Sequence, residues 1–167
     1  MAEADFRKAE AAARKVLRDS HITRPPIVPR EIAESYGLRV QVVILPEHLQ
    51  QVAGFIDFAD RTIFVNESDH YNRQTFTIAH ELGHFLLHKD LFDQHPEQYN
   101  VLLREPIGAA TDPIEKEANA FAADLLVPLD LLNLYRRYAT EDDLAKLFAV
   151  SKEVIGYRLK SASKIPA

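Results

Sequence analysis

The chain has 167 residues, of which 27% are charged and 47% hydrophobic, a formal net charge of −5 and no cysteine. That is room for one domain with a real core. It excludes a disulfide, a thiolate nucleophile and a cysteine metal knuckle, so any metal must be held by nitrogen and oxygen. No apolar run approaches the roughly 18 residues of a membrane span, and the N-terminus lacks the basic-then-apolar pattern of a signal peptide. The acidic balance argues against a protein whose main business is binding nucleic acid, and a cytoplasmic protein is expected.

In chain order, residues 3–19 mix alanine, lysine, arginine and leucine without a breaker and predict a helix. The proline-rich stretch 21–29 cannot continue it. A short helix follows over 30–36, stopped by Gly37, and 38–45 reads as a β-branched strand. Two runs, 52–58 and 62–65, flank a tight connection and predict a hairpin. Residues 66–69 offer several N-caps for a long helix over about 71–88. Lys89 to Ala110, with Pro96, Pro106 and Gly108, reads as one long irregular loop. Asp112-Pro113 opens a further helix that Pro128 ends, and helical segments near 129–138, 142–148 and 152–161 complete the chain.

The expected class is therefore α+β. About three strands, in a mixed or antiparallel sheet, pack on the central helix in a domain spanning residues 1–128. Residues 129–167 form a C-terminal helical, helix-turn-helix-like segment.

The central helix carries Phe76-Thr-Ile-Ala-His80-Glu81-Leu-Gly-His84-Phe-Leu-Leu-His88. His80 and His84 are four apart and share one face, so two imidazoles can hold one zinc ion. Glu81 lies beside them, placed to act as general base. Apolar residues cover most of the helix circumference, which fits burial better than a solvated polar face. A confined carboxylate then needs a partner, and a metal supplies one. His88 lies one turn further on. Spanning His80 to His88 on one helix covers about 12 Å, too far for a single ion, so His88 is expected to pack at the helix end.

The third ligand is sought in Thr111-Asp-Pro-Ile-Glu115-Lys-Glu117-Ala-Asn119. Glu115 and Asn119 share a helical face, with Glu117 turned about 160° away. That face can deliver a carboxylate to the metal and an amide to a ligating histidine. Equally, Asp112, Pro113 and Glu115 fit the N-cap, N1 and N3 positions of a capped helix start. Spacing alone leaves both open.

The sequence from Phe76 to His88, the run from Glu115 through Asn119 to Ala123 and the following Leu125-Leu-Val-Pro128 resemble the ImmA/IrrE family of bacterial metallo-endopeptidases. Ile63-Phe-Val-Asn66 and the stretch from Leu144 to Ser151 extend the resemblance over roughly residues 25–162. It implies a gluzincin-type site with His80, His84 and Glu115 as zinc ligands, Glu81 as general base and Asn119 bonding a ligand histidine. It further implies cleavage of a helix-turn-helix repressor, which switches on mobile-element or stress genes.

The hairpin 52–65 either supplies an edge on which an extended substrate adds as a strand or simply packs on the helix. Tyr71, His95 and Tyr99 are the candidate oxyanion stabilisers. Residues 141–160 read as a helix-turn-helix made locally basic by Lys152, Arg158, Lys160 and Lys164. Given the acidic whole, packing on the catalytic domain or docking of a repressor is favoured over direct DNA binding. The rival readings are a DNA-binding regulator with a structural or sensory metal and a partner that holds a repressor without cutting it.

Overall fold

The computed structural model describes residues 3–99, 101–103 and 112–163. The chain begins with helix α1 (Phe6–Asp19), capped by the Asp5 carboxylate on the Lys8 amide. Helix α2 (Pro29–Ser35) follows, and Gly37 at φ +81° turns the chain where a side chain would be strained. Strands β1 (Arg39–Val43), β2 (Gly54–Asp57) and β3 (Thr62–Asn66) precede the long helix α3 (Tyr71–Gln94).

The hairpin forms as read, with β2 and β3 antiparallel and Phe55 stacked across the pair on Phe64 at 4.9 Å. β1 lies beside β3 and parallel to it, so the sheet is mixed. Its order is β1-β3-β2-β4, because the short strand β4 (Val101–Leu103) adds to β2. Both hairpin strands are thus interior, so of the two readings of the hairpin the one in which it packs on the helix holds, and the edges are β1 and β4. Nor is the stretch after His88 one irregular loop. Helix α3 runs on to Gln94, aided by the Lys89–Asp93 ion pair at 2.8 Å, and α4 (Pro96–Tyr99) and β4 follow. Residues 100 and 104–110 of that stretch lie outside the described residues, as does Lys164.

The cap of α3 is not one of residues 66–69 but His70, whose Nδ1 accepts from the Asn72 amide. Asn66 is buried and donates instead to the Gln50 and Val52 carbonyls, tying two loops together. The sheet covers one side of α3, through β2 and β3, and helix α5 (Pro113–Leu126) covers another. At the α3–α5 crossing Gly83 faces Phe121, where an added Cβ would stand 2.8 Å from the ring. That close approach brings the two helices together at the motif. α1 in turn packs along α5.

Helices α6 (Leu129–Tyr135), α7 (Glu141–Phe148) and α8 (Lys152–Ser163) complete the described chain. α7 carries a full capping box, Thr140 with Asp143. Ala149 at φ 55° makes the turn, and Ser151 Oγ accepts from the Val154 amide. The supposedly basic face is not free: Arg158 is 7% exposed, bonds Asp124 at 2.6 Å and donates to the Val127 carbonyl at 2.9 Å. Arg158 therefore locks α8 onto the end of α5. Among the described residues no helix is long and apolar enough to cross a membrane.

Gly83→Ala should destabilise the protein by about 1–3 kcal/mol, because the wholly buried Phe121 ring cannot retreat; urea unfolding of the variant measures it. Burial lifts the Asp124 carboxyl from 3.8 to about 6, outweighing Arg158, with Glu10 adding to the rise. The folded state therefore binds this proton more tightly than the unfolded chain. The resulting stabilisation is full below about pH 4 and lost as pH rises through about 6. The Tm difference between wild type and Asp124→Asn should fall across that window.

Candidate metal centre

From Thr75 to His88 α3 is buried or half-buried all round, and its polar motif residues are buried with it. His80 and Glu81 are 0% exposed and His84 1%. One turn apart on the same face, the two histidines direct their Nε2 atoms at one another, 3.0 Å apart, with ring planes at 84°. α5 brings in Glu115, whose carboxylate lies 3.2 Å from His80 Nε2 and 2.8 Å from His84 Nε2. Asp112 takes the N-cap position, its carboxylate accepting from the Ile114 amide, while both Glu115 oxygens face the histidines. Helix start and site geometry thus use different carboxylates.

Asn119, one turn beyond Glu115, places Oδ1 2.8 Å from His80 Nδ1. An amide oxygen only accepts, so His80 Nδ1 carries the proton and Nε2 presents a lone pair to the centre. His84 also has its Nδ1 occupied, by His88 at 2.9 Å. His88 is buried as expected but is not mere packing, since its Nε2 meets Glu117 at 2.8 Å. Glu117, turned away from Glu115 around the helix, gives no sign of this role in sequence, because spacing on α5 says nothing of what α3 and the segment before α1 bring near it. The clue available was that His88 extends the row of His80 and His84 by one more turn.

Lone pairs and a carboxylate converging at one buried point repel unless a cation, or in its place a proton, sits among them. His80, His84 and Glu115 offer three donor atoms all within 4.8 Å of one another. A small tetrahedral ion bound at about 2.0–2.2 Å spaces its ligand atoms roughly 3.3–3.6 Å apart, somewhat wider than the 2.8–3.2 Å here, so a small opening of the set would admit it. The set fits a divalent metal, with oxygen and nitrogen donors only. Burial pushes the Glu115 carboxyl up, but with protons on the facing His80 and His84 rings their hydrogen bonds and charge outweigh it and hold it well below the ordinary carboxylate range, the side on which a cation in the protons' place would also hold it.

The oxyanion candidates fare differently. Tyr71 opens α3, nine residues before His80 and about 14 Å along the axis, and is 62% exposed. His95 caps the far end of the helix, about 16 Å beyond His84. Neither lies at the centre. The Tyr99 side chain is outside the described ones.

Two histidines one turn apart, a glutamate directly after the first and a carboxylate from a second helix could hold a metal ion in the way metallopeptidases do. The family model for the IrrE N-terminal-like domain, Peptidase_M78, matches residues 33–160, and the chain belongs to this ImmA/IrrE family. It is 30% identical over 141 residues to uncharacterized immunity region protein 2 of Bacillus phage phi105, covering 82% of this chain and 81% of that protein. It is 29% identical over 124 residues to the metallopeptidase ImmA of Bacillus subtilis (strain 168), covering 71% and 69%. A Mycobacterium tuberculosis transcriptional regulator shares the fold with a TM-score of 0.63 over 92% of this chain, at 19% identity; the chain spans 46% of that protein's length.

Metal loading should raise Tm, and a chelator should reverse the gain, since binding stabilises only the folded donor set. Glu115→Ala should cut that gain to a small remainder, measured by thermal unfolding with and without added metal.

Proposed function

We propose that the chain is a zinc-dependent endopeptidase that hydrolyses one peptide bond in a protein substrate, a helix-turn-helix repressor, and so releases mobile-element or stress genes. The observation that carries this reading is the convergence of His80 Nε2, His84 Nε2 and the Glu115 carboxylate within the buried α3–α5 crossing. Those three hold the ion, and Asn119 fixes the His80 ring. Zinc is preferred among metals that accept two histidines and a carboxylate because Glu81 sits directly after the first histidine.

When bound, the metal polarises the scissile carbonyl and makes water a competent nucleophile near neutral pH. Glu81, wholly buried in α3, takes the proton from the attacking water and passes it to the departing amine. Burial of the helix around the motif limits solvent access and strengthens each of these interactions.

The choice of substrate is supported by the family and by the company the relatives keep. One is a phage immunity region protein and the structural neighbour is a transcriptional regulator. A substrate of that kind places the activity in the cytoplasm. The inward Arg158 removes one cation from the face that direct DNA binding would use, which favours acting on a protein. The helices of residues 129–167 then serve as a packed segment against the catalytic part, 1–128, on which a substrate can dock.

Incubating the zinc-loaded protein with a repressor encoded beside it should yield two fragments defined by mass spectrometry. Glu81→Gln should retain zinc and lose cleavage by about 10²–10⁴-fold or more. An intact repressor bound by the wild type points instead to a sequestering partner, and salt-dependent binding of duplex DNA points to a regulator.

A further inference from the structure

We infer that His88 and Glu117 are positioning residues that set the tautomer and aim of the metal-facing His84, through a relay ending on the backbone of Asp5. This rests on the metal reading of the site above.

Direction along the relay follows from its outer end. The Asp5 backbone N–H donates to Glu117 Oε1 at 2.9 Å. The other carboxylate oxygen, Oε2, lies 2.8 Å from His88 Nε2 and can only accept, so His88 donates from Nε2. His88 Nδ1 is then the lone-pair side of a neutral ring and accepts from His84 Nδ1–H across 2.9 Å. His84 Nε2 is left with its lone pair towards Glu115 and His80. Every member has one role, and the protons are dictated from a backbone amide inward.

His80 is oriented in a single step, by the neutral amide of Asn119. His84 is oriented in two, with a carboxylate at the end. The relay is shielded: His88 is 4% exposed and the Glu117 side chain 12%. Its outer anchor precedes α1, ahead of the residues 33–160 matched by the family model.

The test separates hydrogen bonding from packing by comparing two substitutions at one site. Glutamine at 88 can accept at one end and donate at the other, whereas leucine fills apolar space and does neither. Zinc affinity is read by competition with a chromophoric chelator, and donor geometry by the visible absorption of the cobalt(II)-loaded protein. His88→Leu should bind zinc about 10–100-fold more weakly than wild type and shift the cobalt bands, while His88→Gln should recover most of the affinity. Leucine matching or exceeding glutamine would show packing alone and overturn the inference. Should the leucine variant not fold, Glu117→Gln serves. It keeps the shape but leaves one acceptor oxygen for two donors, so unchanged zinc affinity and unchanged cobalt bands in it also overturn the inference. A wild type that binds no zinc sinks the metal reading itself, a result distinct from either.

Discussion

Bringing two imidazole lone pairs and a carboxylate to one buried point is electrostatically unfavourable for the chain by itself. The surrounding fold holds them there. The helical repeat sets His80 and His84 on one face of α3, the absent side chain of Gly83 lets α5 approach, and the Asp112 cap starts α5 where Glu115 can reach across. The sheet backs α3 on one side while α1 backs α5 on the other. An arrangement of repelling acceptors that persists inside so well packed a frame makes sense as the resting place of a cation, with frame and ion depending on one another.

The C-terminal helices are tied into the same frame. Arg158 joins α8 to α5 through Asp124 and the Val127 carbonyl, and Asn72 at the start of α3 donates to Val150 in the turn between α7 and α8. A helix-turn-helix outline is thus present in shape, but part of its charge holds the segment to the helices that carry the motif. Asp124 is the cost of that join, a carboxylate whose burial outweighs even its guanidinium partner.

Local patterns were readable before any coordinates. The motif helix, the hairpin, the caps at Asp112 and Ser151 and the turn at Gly37 all depend on neighbours within a few residues. Glu115 was readable only as one of two roles, since capping and ligation ask for the same residue at the same spacing. What sequence could not show was how elements meet. β4 has only three residues and sits after a proline-bearing stretch, too short for its period to stand out, and its pairing with β2 turned a candidate edge into an interior strand. Glu117 carries no signal in its own helix, and His88 only its place in the row of histidines, because their partnership exists only across α3, α5 and the segment before α1.

The absence of cysteine has a consequence for how such a centre behaves under oxidative stress. Metal sites built on thiolates are unloaded by peroxide, because sulfur oxidises and ceases to bind. Two imidazoles and a carboxylate have no such vulnerability, and the sole thioether in the chain is Met1, at the very start. Nitrogen and oxygen donors do not oxidise as sulfur does, so a metal held by them would not be released through oxidation of its own ligands.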